Sequence, residues 1–497
     1  MEAARKCAAE FFIRYRGMRN EEGYPSVENT KKRFVKNLSY AVLAQCISLI
    51  MSVVMSLVAP KLLGVKAFAY WQLFIFYSGF ANFFHFGVND GVFIRLGGQD
   101  YSELDHRQLS GEIRAAMLAQ SCLLLVGALG CGLFLRDGDR LFVFIMSGIY
   151  VVVYNLTTLY GMIFQAVNQG KVFAKALILC KSLFLVVAIF LLLMPEKDYH
   201  LFILFDVASW FAALAYLAWQ GKELTRAPKC RFSEIWETLR EDISVGSKLM
   251  LASVASGMII GTGRMMVDSA WGIETFGKFS FALSLSNILL LFIHQISTVL
   301  FPELKRLTGE KQDDFFSATR LGLDLLLPVF LLLYVPIKIV MGLWLPDYQE
   351  SLTYMTFLFP LCVYDVKMQM LYNTYFKIYR KEKTILWLNA GAVTLSLILS
   401  LISVYLVHNI ILTTACMLIT IILRNTAAEI ELAKIMKYKV TSGMLLNIAV
   451  TIAFVLSVHY APNDGMAFVA FLLVYVCYLA VRHNDVRFFF RRIRNAA

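Results

Sequence analysis

Few residues in this chain could do chemistry, and most of those stand inside long apolar runs, where an ionisable group is costly and so a candidate for function. Arg264 and Asp268 lie four apart, on one face of a helix. Arg264 could hold an anion while Asp268 orients or releases it; the alternative is a local ion pair with Arg264 reaching to the membrane interface. Asp365 and Lys367 follow Pro360 and lie two apart, so they point to different faces and cannot simply neutralise each other. At least one is expected to face a cavity; the alternative is pairing with a neighbouring helix. His294 could titrate or hydrogen-bond a ligand, or sit satisfied between helices. Asn89, Asp90 and Arg95, beside Gly87, Gly91, Gly97 and Gly98, could form a gate, although Asn-Asp-Gly is equally turn chemistry. Asp206, Asp324 and Lys338 fall near the ends of their runs and read as interfacial.

The elements that position these residues are apolar helices. The composition is 59% hydrophobic and only 16% charged, where a soluble chain carries about a quarter charged residues. The apolar excess comes in blocks of roughly 20 residues, the length that crosses a hydrocarbon core. Spans are expected at about 37–58, 67–88, 112–135, 141–165, 172–194, 199–219, 246–269, 276–300, 321–345, 351–375, 385–407, 410–432, 442–460 and 464–482. The expected fold is therefore an all-α integral membrane protein of about fourteen transmembrane helices.

The net charge of +12 does not point to nucleic acid, because the basic residues sit in short segments between apolar runs. With the N-terminus inside, roughly 38 of the 47 Lys and Arg fall in cytoplasmic segments and about 6 outside, mainly Lys61, Lys66, Arg136, Arg140, Lys197 and Lys278. Both termini are then cytoplasmic. Removing or adding one span would scramble this separation. The first 36 residues read as a basic cytoplasmic arm with no cleavable signal peptide; Ala8 to Ile13 could alternatively start a short interfacial helix. The nine cysteines contain no CxxC pair and read as apolar packing residues, so no metal site is expected. No phosphate-binding Gly-rich loop ending in Lys-Ser/Thr occurs, which argues against ATP hydrolysis.

An internal repeat is visible. Gly64, Val65, Phe68, Ala69 and Trp71 align without a gap on Gly272, Ile273, Phe276, Gly277 and Phe279. Each segment follows the first span of a six-span block, so the repeats run in the same direction. A parallel repeat implies a pseudo-twofold axis along the membrane normal with a cavity between two lobes. The expected division is a basic arm 1–36, an N-lobe 37–220, a linker 221–245, a C-lobe 246–432, two further spans in 433–482 and a basic tail 483–497. Pro336 and Pro360 should bend spans nine and ten; Gly257, Gly261 and Gly263 either loosen span seven or allow a tight helix contact.

Six plus six plus two spans in parallel halves resembles the multidrug/oligosaccharidyl-lipid/polysaccharide exporter superfamily, and most closely its polysaccharide (O-antigen-type) flippase branch. The residues that carry the resemblance are Leu63-Gly64-Val65-Lys66-Ala67-Phe68-Ala69-Tyr70-Trp71-Gln72-Leu73, Phe84-His85-Phe86-Gly87-Val88-Asn89-Asp90-Gly91 and Arg95-Leu96-Gly97-Gly98. In the second half they are Gly263-Arg264, Trp271-Gly272-Ile273-Glu274-Thr275-Phe276-Gly277-Lys278 and Phe281-Ala282-Leu283-Ser284. The resemblance implies a transporter in a bacterial-type cell membrane. It would carry a polyprenyl-pyrophosphate-linked oligosaccharide from the cytoplasmic to the outer leaflet by alternating access, for surface polysaccharide biosynthesis. Arg264, Asp268, Asp365, Lys367 and His294 would then be cavity residues, and Asn89, Asp90 and Arg95 a cytoplasmic gate. It implies no cofactor, leaves Na⁺ or H⁺ coupling open, favours a monomer, and admits glycosyltransferase or polymerase partners.

Two other classes compete. A drug/cation antiporter of the same superfamily often carries a carboxylate in its first span, whereas here the most polar interior residue of that span is Gln45. A membrane polymerase or ligase usually needs a sizeable outer loop, and the outer loops here, such as Pro346-Asp347-Tyr348-Gln349-Glu350, are short.

Overall fold

The computed structural model describes the backbone of Tyr40 and residues 43–134, 136–304, 310–436, 438 and 443–487; side chains at 134, 289–304, 310–314, 326–327 and 382 fall outside that description. The expected arm 1–36 and most of the tail 483–497 lie outside the described residues. So does the side chain of His294. The described residues form helices and no strand.

Eleven helical stretches are long and apolar enough to cross a membrane. Two of them, Leu43–Phe83 and Phe232–Ile288, each hold two crossings merged across a kink, and Gln349–Lys367 continues through a π turn to Ile378 as a further crossing. This resolves into the fourteen expected spans. Gly138–Ala166, Gly170–Leu193, Tyr199–Gln220, Ile410–Met436, Gly443–Tyr460 and Asp464–Val481 fall within a few residues of where the apolar runs place them. Span nine bends as its prolines require, breaking between Leu332 and Tyr334.

The repeat is written into the backbone. Gly64 adopts φ 75°, ψ 170° and Gly272 adopts φ 80°, ψ −178°, a conformation that L side chains rarely take. These matched glycines set the angle at which span one turns into span two and span seven into span eight. The aligned pair Ala69 and Gly277 then meet: a Cβ added to Gly277 would stand 2.5 Å from that of Ala69. Equivalent residues touch only where a twofold axis passes between them. We refer to the end of the bundle carrying the Gly64 and Gly272 bends as the kink end, and to the end carrying residues 221–231 as the linker end.

Span two departs from the expected continuous helix. It stops at Gly79, makes a 3₁₀ turn at Ala81–Phe83, and restarts as Val88–Leu96 after Phe86 (φ 52°) and Gly87 (φ 87°). Broken backbone is tolerated at membrane depth only when protein groups satisfy it. Buried Asn155 of span four does so, donating to the Ala81 carbonyl at 3.0 Å. Asn89 donates to the Asn155 carbonyl at 3.1 Å and to Thr158 at 2.9 Å. The break also lets span seven come close: a Cβ on Gly246 would lie 1.9 Å from the Gly87 carbonyl oxygen.

In span seven the three glycines divide their roles. Gly261 meets Phe80 and Gly263 meets Met417, both tight contacts, whereas Gly257 faces open space.

The Ala69–Gly277 contact yields a test. Gly277→Ala is expected to cost about 1–3 kcal/mol by overpacking, read as a lowered melting midpoint in detergent. Combining it with Ala69→Gly should recover most of that loss. An unchanged midpoint in the single variant would mean the two spans part freely.

Candidate functional site

Between the halves lies a chamber of about 580 Å³ in the linker-end part of the bundle, bordered by the broken segment of span two, span seven, and spans ten and eleven. A smaller chamber of about 240 Å³ adjoins it toward the kink end and shares Asn82, Ser253, Gly257 and Ile260 with it. Beyond them the kink end is closed. Trp344 donates to the Leu57 carbonyl at 2.9 Å, Tyr348 packs between Phe68 and Phe281, and Lys61 covers the Trp344 ring.

Arg264 sits in the smaller chamber. Its guanidinium lies 4.9 Å from the Phe76 ring and 5.2 Å from the Phe276 ring, and donates to Ser280 Oγ at 2.9 Å and the Gln72 carbonyl at 3.5 Å. Gln72 and Ser280 stand in the same register as Gly64 and Gly272, so Arg264 reaches both members of an equivalent pair across the axis. Its Nε is buried without a hydrogen-bond partner, and no carboxylate pairs with it among the described residues. Aromatic faces and neutral acceptors hold this cation in place without neutralising it.

Asp268 does not pair with Arg264. It forms a bidentate ion pair with Arg140, at 2.7 and 2.8 Å, reaching across to the start of span four. The i,i+4 spacing is real, but the two side chains leave the helix toward different partners, and Asp268 closes the kink end.

Asp365 and Lys367 part as their spacing requires. Asp365 lines the large chamber and accepts from Arg424 of span twelve at 2.7 Å. Lys367 does not face the large chamber; it is 6% exposed and enters a buried network with Asp324 at 2.8 Å and Glu429 at 3.3 Å. Glu429 also pairs with Arg320 and accepts from Tyr372 at 2.9 Å; Asp324 receives Asn447 at 2.8 Å and faces Arg482 at 3.7 Å. Asp324 is therefore a buried member of this network, not interfacial. The network joins spans nine, ten, twelve, thirteen and fourteen, and holds the last two spans to the second half. Asp206 is also buried rather than interfacial.

At the linker end, Arg95 joins Asp242 at 2.8 Å and Glu112 at 2.6 Å, tying span two to span three and to the helix entering span seven. Asp90 lines the large chamber, with His85 Nε2 at 3.9 Å; His85 Nδ1 accepts from the Gly87 N–H at 3.0 Å. Asn89 lies apart from both, 1% exposed inside the first half, where it supports the backbone.

His85, Gln369, Asn373, Asn389 and Arg424 belong to the chamber or its wall yet escaped the sequence reading. Arg424 was legible as a charge inside span twelve. The neutral residues carried no comparable signal, since a membrane amide is as often a helix-packing group.

A family model described as polysaccharide biosynthesis protein matches residues 34–308. The chain belongs to that family. Among solved structures it is similar to lipid II flippase MurJ in an inward closed conformation, with TM-score 0.62 and 11% identity, covering 91% of this chain and 99% of that one. It is also similar to an inward-facing multidrug resistance MATE family transporter of the MOP superfamily, at TM-score 0.56 and 14% identity, covering 86% and 99%. A MOP superfamily transporter from Pyrococcus furiosus aligns at TM-score 0.51 and 13% identity, covering 85% and 96%. No curated protein matches the sequence. At these identities the structural likenesses speak to the fold, which is MATE-like as expected.

Two outcomes follow for the family member. Arg140→Gln should loosen the kink end and raise labelling of a cysteine placed beside Arg264 by an impermeant thiol reagent from that side; the exchange Arg140→Asp with Asp268→Arg should restore protection. Lys367→Ala leaves two carboxylates with one less cation, so it is expected to cost about 3–5 kcal/mol, seen as a fall in the melting midpoint.

Proposed function

We propose that this membrane protein is a transporter rather than an enzyme: a flippase that moves a polyprenyl-pyrophosphate-linked oligosaccharide from the cytoplasmic to the outer leaflet for surface polysaccharide synthesis. The observation that carries the reading is Arg264, an unneutralised cation at the head of an interlobe cavity, in a chain of the polysaccharide biosynthesis family. A pyrophosphate and its sugars cannot enter hydrocarbon unaided, because burying unpaired charge and hydroxyls costs many kcal/mol. A polar cavity with a cation at its head lowers that barrier. An inside-negative potential adds about 2.3 kcal/mol per charge per 100 mV in the outward direction.

The excess of Lys and Arg assigns the linker end to the cytoplasm, together with both termini, and the kink end to the outside. The chambers then lie toward the side on which the substrate is assembled, while Arg140–Asp268 and the Trp344–Tyr348 contacts close the other side. Arg95–Asp242 is the contact that must yield for a head group to enter, and Arg140–Asp268 the one that must yield for it to leave. Alternating access is rocking between these two closures. The protein acts as a monomer in the cytoplasmic membrane, passing substrate between the glycosyltransferases that build it and the polymerase that uses it.

The test is reconstitution in liposomes carrying a polyprenyl-pyrophosphate oligosaccharide, with head-group exposure followed by an impermeant lectin. Protein-dependent exposure that falls at least tenfold in Arg264→Ala is expected. Exposure equal in both proteins would keep the flippase and remove Arg264 from phosphate recognition. No exposure, with ion-driven uptake of cationic dyes instead, would move the protein to the antiporter class.

A further inference from the structure

The large chamber holds polar groups that neither the ion pairs nor the helix packing uses. Gln369 stands in the π turn Met368–Tyr372, and Asn373 follows it immediately. A π turn widens the helix by one residue and occurs often at functional sites. Here it turns Lys367 and Tyr372 toward the buried Glu429 while Gln369 and Asn373 line the chamber. The Asn373 amide donates to Gln369 Oε1 at 3.0 Å, a bond that leaves the Gln369 NH₂ group unspent. The Asn373 carbonyl oxygen is buried without a partner among the described residues. Asn389 lines the same chamber from span eleven; its NH₂ group donates to the Ala252 carbonyl at 3.0 Å. Its own oxygen has no partner among the described residues, although the residue is 1% exposed.

An unsatisfied buried amide oxygen costs about 1–3 kcal/mol, so these groups are matched to a ligand or to water that a ligand replaces. We propose that Gln369, Asn373 and Asn389 form a sugar-reading subsite that takes a neutral glycosyl unit by its hydroxyl or acetamido edge. The inference rests on the flippase reading and deepens it. The free groups are one NH₂ donor and two carbonyl acceptors. A sugar hydroxyl offers both roles, and an acetamido group offers an N–H to an acceptor and a carbonyl to a donor.

The charge in the chamber favours a neutral sugar. Asp365 is balanced by Arg424 behind it, and Asp90 is matched in number by Lys377. That leaves no net cation in the large chamber for an acidic sugar, whereas Arg264 in the smaller chamber retains its charge for phosphate. No Phe, Tyr or Trp ring lines the large chamber among the described residues, so the sugar is read at its polar edge rather than by stacking on its face. The two chambers thus divide the head group, with phosphate toward the kink end and the first sugar toward the linker end.

The full-length protein in nanodiscs would be titrated with two probes, polyprenyl pyrophosphate bearing one N-acetylhexosamine and the same lipid without sugar. Gln369→Leu and Asn389→Leu are expected to weaken binding of the sugar-bearing probe by about tenfold and to leave the sugar-free probe unchanged. Arg264→Ala should weaken both. Equal losses for the two probes in the amide variants, or no loss for either, would overturn the subsite and leave the flippase standing. Tighter wild-type binding of a uronic-acid probe than of the neutral one would also overturn it. Wild-type protein that binds neither lipid would overturn the flippase reading, and the subsite with it.

Discussion

Spans two and eight meet where Gly277 lies against Ala69, and the rest of the structure is arranged around that contact. Close approach there requires a residue without a side chain, and it requires both spans to arrive at the axis at the same angle. Gly64 and Gly272 supply the angle through the same left-handed, extended conformation. Because the contact lies toward the kink end, the halves are pinned together on that side, and the chambers lie toward the other.

The symmetry is broken where a charge is needed. Arg264 spans the axis and bonds to Gln72 and Ser280, residues in equivalent positions of the two repeats. The position equivalent to Arg264 in the first repeat is Ser56. Two arginines at this depth would face each other in a low-dielectric site, where like charges repel strongly. One cation between two aromatic rings avoids that penalty.

The other intramembrane charges are sorted by whether they have partners. Lys367, Asp324, Glu429, Arg320 and Arg482, with Asn447, form a buried network that stitches five spans together, and charges satisfied in this way give cohesion. Arg140–Asp268 and Arg95–Asp242 lie at opposite ends, and each joins separate parts of the bundle. The cavity wall keeps Arg264, Asp90 and Lys377 among neutral amides, hydroxyls and apolar side chains.

Much of this was legible in the residues alone. Apolar blocks of membrane length, separated by basic loops, determine the number and order of the spans, because hydrocarbon admits backbone only when it is helical and self-satisfied. The aligned Gly64 and Gly272 determine the repeat, because few residues other than glycine accept the backbone that each bend requires. That Arg264 is a charge inside a span also follows from sequence. Its partners do not. Whether Asp268 answers Arg264 or Arg140, and whether Lys367 or Asp365 reaches the cavity, depends on helices more than 50 residues apart in the chain. Spacing along one helix restricts the face of a side chain but not what lies opposite it. The break in span two was hidden for the same reason: it is sustained by Asn155 and by the approach of Gly246, both brought there only by tertiary packing.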